Sequence, residues 1–253
     1  MMTTNDADFL EFISGQRFDS NYPIEFTFDL KVKNRDTILS NLVKNKRIIH
    51  VGCVDHLDII ESKISAGTWL HQILIDSSKR CLGIDINHSG VEYLKKKYNI
   101  DDLITADLVH DSVKEIENNH WDYILLPEVI EHIPDAVTFI SAIHEKYSRN
   151  IDKIIITVPN LFAYSLSQNA SRNIEQINTD HRHWFSPFTL IKCLNDAGVK
   201  VEELNLINGF WGPFYCNTKE RVLNRFMQVI GRKRDYKKVR DMRYAKGLLV
   251  IAR

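Results

Sequence analysis

Apolar positions in this chain come in short unbroken runs separated by longer stretches with helical spacing. Arg47-Ile48-Ile49-His50-Val51-Gly52 is β-branched and stops at a glycine, the pattern of a strand covered on both faces. Residues 80–86, 103–106, 121–126 and 153–158 repeat it, the last stopped by Pro159-Asn160. Between them the spacing predicts helices. One stretch is split near Gly67, and its second half covers 68–75, with Trp69 expected in the core and His71 on the surface. A second, capped by Asn87 or Ser89, carries Val91, Tyr93, Leu94 and Tyr98, and a third covers 135–147. Upstream, 7–14 and 36–44 read as helices, the latter capped by Asp36, and the stretch around Tyr22-Pro23-Ile24 reads as extended. Ser186-Pro187 marks a further helix start. Strands alternating with helices predict an α/β fold on a parallel sheet. Ligands of such sheets bind at the carboxyl ends of the strands.

At those ends stand Gly52-Cys53-Val54-Asp55-His56, Asp85, Asp107 and Glu128. A glycine lets backbone approach a ligand closely. A carboxylate after the second strand can accept both hydroxyls of a ribose, and one after the third can accept from an adenine amine. Together they describe an adenosine pocket. Neither a G-x-x-x-x-G-K-[ST] loop nor a full G-x-G-x-x-G fingerprint is present. The adenosine is therefore expected to be joined to something other than a pyrophosphate, which counts against a nicotinamide-dependent dehydrogenase.

In this order the residues resemble class I S-adenosylmethionine-dependent methyltransferases. Their first motif, an acidic residue and then G-C-G-x-G, is met by His50-Val51-Gly52-Cys53-Val54-Asp55-His56, with His50 for the acid and Val54 and His56 for two glycines. Gly83-Ile84-Asp85-Ile86 looks like the family's ribose-binding strand end, and Ala106-Asp107-Leu108 like its adenine-binding one. Trp121-Asp122-Tyr123-Ile124 through Glu128-Val129-Ile130-Glu131-His132-Ile133 is similar to the fourth-strand motif, and Thr157-Val158-Pro159-Asn160 to the fifth. His183-Trp184-Phe185-Ser186-Pro187-Phe188-Thr189-Leu190 resembles the ubiquinone-biosynthesis O-methyltransferase-like branch. The resemblance covers 47–208. It implies a Rossmann-like sheet of seven mostly parallel strands with helices on both faces and a reversed last strand, 201–207 and 247–252 supplying the final two. It also implies S-adenosyl-L-methionine as cofactor, held by Gly52, Cys53, Asp85, Ile86, Asp107, Leu108 and Glu128. The chain then divides into a lead-in cap (1–46), a cofactor-binding core (47–208), and a basic acceptor-side insertion with the last strand (209–253).

His132, His181 and His183 are the candidate bases, since an unperturbed imidazole suits deprotonation near neutral pH. Their presence, and the lack of an Asn/Asp-Pro-Pro-Tyr motif, favour oxygen as the atom methylated. A helix starting near Glu128 would put Glu128, Glu131 and His132 on one face. With His181 they resemble the metal site of small-RNA 2′-O-methyltransferases, and a divalent metal assisting transfer to RNA is the alternative reading. A further alternative is a non-enzymatic protein that binds a partner through residues 209–246, kept open by Val54 and His56, which stand in place of glycines and could plug the cleft.

Composition narrows the acceptor. Lys+Arg and Asp+Glu balance at 33 each over 253 residues, so no overall field selects nucleic acid or membrane. Within 219–246, however, eleven Lys/Arg face three Asp/Glu. That excess favours a small-molecule or glycan-like acceptor of anionic character, an acidic lipid head group, or RNA. The apolar, turn-rich 210–215 could wall its pocket. No apolar run is long enough to span a bilayer, and the polar start lacks the features of a secretion signal. Cys53, Cys81, Cys193 and Cys216 are scattered, which predicts buried free thiols in a cytoplasmic protein.

Overall fold

A computed structural model describes residues 3–4, 8–29, 31–209, 236–238 and 241–253. The lead-in holds β1 (Thr3–Thr4), α1 (Phe9–Ser14), β2 (Phe26–Thr27), β3 (Lys31–Lys33) and α2 (Arg35–Leu42). β4 (Arg47–Val51) begins the alternation. It is followed by α3 (Leu57–Ser65), α4 (Leu70–Ser77), β5 (Arg80–Asp85), α5 (His88–Tyr98), β6 (Leu103–Thr105), α6 (Lys114–Glu117) and β7 (Trp121–Pro127). A 3-10 turn (Ile130–His132) and α7 (Ala136–Tyr147) lead to β8 (Ile151–Pro159). Then come α8 (Tyr164–Ala170), α9 (Pro187–Asp196), β9 (Val201–Gly209), β10 (Tyr236–Lys238) and β11 (Ala245–Ala252).

The main sheet runs β10-β3-β9-β11-β8-β7-β4-β5-β6. Its inner strands are parallel, and β11 enters antiparallel between β8 and β9, the reversed strand expected. The expected seven strands become nine, because β3 pairs with β9 and β10 pairs with β3 at the far edge. Only Val32 of β3 is buried, between two exposed lysines. Three residues are too few to show a period.

Successive strand residues point to opposite faces, and both faces are covered. Ile49, Ile124, Leu126, Ile154 and Ile156 pack with α1, α7 and α9, while Ile48, Leu125 and Ile155 pack with Leu39 of α2 and Leu74 of α4. This two-sided burial explains why the strands read as continuous apolar runs. Asn87 caps α5, Asp135 caps α7, and Ser186 caps α9 in a box with Thr189. The cap of α2 is Asn34, not Asp36. Asn34 has the extended backbone a cap needs and accepts from the N–H groups of Asp36 and Thr37. Among the described residues no helix is long and apolar enough to cross a membrane. Cys53 and Cys81 are buried free thiols, and Cys193 is half-buried. Residues 210–215, Cys216 and most of the basic run 219–246 lie outside the described residues.

Candidate active site

Strand register places the sequence-predicted residues in a row. His50 pairs with Leu125, Val51 with Ile84, and Asp85 with Thr105, so Glu128, Gly52, Asp85 and Asp107 follow one another along the carboxyl edge. Gly52 has φ 74, a backbone conformation that favours glycine, and a Cβ there would crowd a Val129 methyl at 3.0 Å. The Asp85 carboxylate ties the turn together. Its two oxygens accept the N–H groups of Val54 and Asn87, each at 2.9 Å. Each oxygen keeps a lone pair for a ligand.

Val54 and His56, which in the alternative reading plug the cleft, lie elsewhere. Val54 is 1% exposed and lies against α5, where a Cβ on Gly90 would sit 2.4 Å from a Val54 methyl. The bulk gained at position 54 is offset by the side chain missing at position 90. His56 is exposed at the start of α3. Cys53 is buried in the same cluster, its carbonyl accepting from the Trp69 indole at 3.1 Å. Ile86, 77% exposed, offers an apolar face beside Asp85. Asp107 accepts from the Val109 N–H and from His110, and the His110 bond holds its carboxyl below the usual range. Leu108 turns its side chain into the core.

Below the glycine turn His71 is fully buried, not on the surface, with its Nδ1 3.0 Å from His50 Nδ1. At that distance one nitrogen carries the proton that the other accepts. Burial lowers both pKa values, that of His71 to about 4, so the pair is neutral.

Beyond β7 the expected helix from Glu128 does not form. Glu128 has φ 56 and turns the chain into the 3-10 turn. Its carboxylate accepts from the Thr157 hydroxyl at 3.0 Å and lies 4.0 Å from Arg35 Nη1. Arg35 was not among the residues singled out from sequence. It follows a helix cap in the lead-in, and nothing local ties it to the end of β7. Its backbone N–H donates to Asn208.

Glu131 and His132 meet the later loop. The N–H groups of Arg182 and His183 both donate to the Glu131 carbonyl, and Arg182 Nε donates to that of His132. One ligand-capable atom each from Glu131, His132 and His181 lies within 4.8 Å of the others, and the two imidazoles meet edge to face at 4.7 Å. Glu128 is not in this group. His183 turns away and bonds the Pro134 carbonyl through Nε2 at 3.1 Å. The Glu131 carboxyl is 0% exposed, and neither oxygen has a hydrogen-bond partner among the described residues; His181 Nδ1 is in the same position. Burial, reinforced by the Glu128 charge, raises Glu131 to about 8, while burial and His132 lower His181.

Residues 24–204 match the family described as a methyltransferase domain. The ubiquinone biosynthesis O-methyltransferase of Pseudoalteromonas translucida (strain TAC 125) is 21% identical over 165 residues, covering 62% of this chain and 64% of that protein, so the match spans under two thirds of the relative's length. The small RNA methyltransferase HEN1 superposes with TM-score 0.54 at 15% identity, over 87% of this chain and 24% of that one. The methyltransferase domain of bacterial-CtHen1-CN does so with TM-score 0.52 at 16% identity, over 86% and 97%. At these identities the superpositions show a shared fold.

Proposed function

The chain belongs to the methyltransferase domain family, and from that premise we propose that it transfers the methyl group of S-adenosylmethionine to a hydroxyl oxygen of a small-molecule or glycan-like acceptor. The observation carrying this reading is the row of Gly52, Asp85 and Asp107 at adjacent strand ends, with the His132–His181 pair beyond it.

When bound, the cofactor supplies an electrophilic methyl on a sulfonium. Asp85 would hold the ribose hydroxyls, Asp107 the adenine amine, and Ile86 one face of the base. Arg35 and Glu128, a cation beside an anion, match the carboxylate and ammonium of the amino-acid end. The acceptor must then lie in line with the methyl–sulfur bond at roughly 3–3.5 Å. With the cofactor bound, His132 or His181 would take the hydroxyl proton of the acceptor as the methyl group is transferred to its oxygen. His183, engaged by Pro134, positions the loop. His132→Ala and His181→Ala are expected to lower kcat roughly 100-fold or more, with cofactor affinity unchanged and His183→Ala milder, in assays with labelled cofactor and pooled hydroxylic acceptors. Absence of any cofactor-binding heat at millimolar concentration would remove the enzyme reading.

The orphaned carboxylate of Glu131 favours a second reading. A buried anion without partners is costly, and a carboxylate with two imidazoles suits a divalent cation. The donor set fits, and such an ion would lower the pKa of an acceptor hydroxyl, including the 2′-hydroxyl of RNA. Titration with Mn2+ or Mg2+ should then give heat that Glu131→Gln abolishes, and chelator should slow turnover. A wild-type protein giving no heat with either ion would leave the metal-free mechanism alone.

A further inference from the structure

The loop that carries Asp107 is gripped by one lysine from a distant helix. Lys146, in the last turn of α7, donates to the carbonyls of Leu108, Val109 and Asp111 at 3.0, 2.6 and 3.0 Å. We propose that Lys146 is a positioning residue for the adenine end of the cofactor: its ammonium fixes the loop after β6 and thereby sets how the Asp107 carboxylate is presented. This deepens the methyl-transfer reading and rests on it.

The coupling runs through the peptide groups themselves. A trans peptide is planar, so its C=O and N–H point in opposite directions. The unit joining Leu108 to Val109 gives its carbonyl to Lys146 and its N–H to an Asp107 carboxylate oxygen at 2.9 Å. The unit joining Val109 to His110 gives its carbonyl to Lys146 and its N–H to the Asp107 carbonyl at 3.2 Å. Each therefore bridges the ammonium and Asp107, and hydrogen bonds linked in this way polarise and strengthen one another. The other Asp107 carboxylate oxygen is bonded to His110 Nδ1 at 2.8 Å, and the Asp107 N–H donates to the Asp111 carboxylate at 2.8 Å.

An exposed lysine ordinarily gives its donors to water. Lys146 is exposed, yet its ammonium, which has three N–H donors, meets a backbone carbonyl with each. Carbonyl oxygens turned toward one point repel one another, and a cation between them is held as it is where carbonyls replace an ion's hydration shell. Without the ammonium they would turn apart toward water, and the N–H groups on the other side of the same peptides would turn with them. The helix end that supplies Lys146 is itself anchored. Ile143 and Tyr147 are buried in the core. The Tyr147 hydroxyl meets the same stretch of chain, accepting from the Val113 N–H at 3.3 Å and donating to the Asp111 carbonyl at 3.4 Å.

Calorimetry of the full chain with S-adenosylmethionine and with adenosine tests this. Lys146→Met keeps the stem and removes the donors, and should weaken both ligands about tenfold, the scale of one charge-assisted hydrogen bond. In an Asp107→Ala background the same substitution should cost less than about twofold, as befits a residue that acts through Asp107. Without any ligand, the amides of Val109 and His110 should exchange with solvent deuterium about tenfold faster in Lys146→Met, while those of α7 exchange as in wild type. Wild-type affinity in Lys146→Met overturns the proposal and leaves methyl transfer standing, as does an equal loss with and without Asp107. Unchanged exchange at Val109 and His110 does the same. A wild-type protein that binds neither ligand discards the adenine site, and with it both the methyl-transfer reading and the role of Lys146.

Discussion

Asp85→Ala should weaken S-adenosylmethionine binding by more than about 100-fold, the largest loss expected from one side chain. A hydrogen bond to a charged group is worth about 1.5–3 kcal/mol, and the carboxylate is placed to accept two from a ribose. Two such bonds already correspond to a factor of about 100. The same oxygens accept the N–H groups of Val54 and Asn87, so the alanine variant also frees the turn that carries Gly52. Asp107→Ala should cost less, since that side chain is 47% exposed and bound to its own loop. Asp85→Asn keeps one acceptor oxygen and should fall between the two. Calorimetric affinities for all three variants check the order, and wild-type affinity in Asp85→Ala would place the ribose elsewhere.

The second large effect is on stability in acid. His71 titrates near 6.5 when unfolded and near 4 when folded, and His50 is also depressed. The unfolded chain therefore binds more protons across this window. The stability from keeping the pair neutral is fully present above pH 6.5 and is lost as pH falls toward 4. For His71 alone the loss is about 3 kcal/mol. Glu131 acts with the opposite sign. Its folded pKa is raised to about 8, so acidification from 8 toward 4.5 relieves a cost. The wild-type profile combines both, and the informative quantity is a difference between proteins. Replacing both histidines by leucine exchanges a polar contact for apolar groups of similar size, which can be nearly neutral. Relative to wild type, His50→Leu/His71→Leu should gain more than the roughly 3 kcal/mol of His71 alone between pH 7 and pH 4, read by urea denaturation. A constant difference across that range would exclude the pair as the source.

Much of the site was legible because it depends on local order. Gly52, Asp85, Asp107 and Glu128 sit where apolar runs stop, and a parallel sheet brings successive strand ends to one edge whatever the helices between them do. The second half of the site was less legible. Glu128, Glu131 and His132 suggested a helical face, but the backbone reverses at Glu128, and what gathers Glu131 and His132 with His181 is a loop some fifty residues downstream. Arg35 reaches the end of β7 from the lead-in, and β3 joins the sheet through three residues. Neither has a sequence signature, because both depend on contacts between distant segments.

The sequence by itself determined the α/β alternation and the acidic residues at the strand ends, because periodicity and chain-stopping residues act over a few positions; the reversed last strand was implied by the family resemblance alone. Only the tertiary structure decided that Val54 fits into the space left by Gly90 and that His71 lies buried against His50. Each of these is a matter of volume and partnership between side chains brought together from different elements, and such packing is specified by the folded whole.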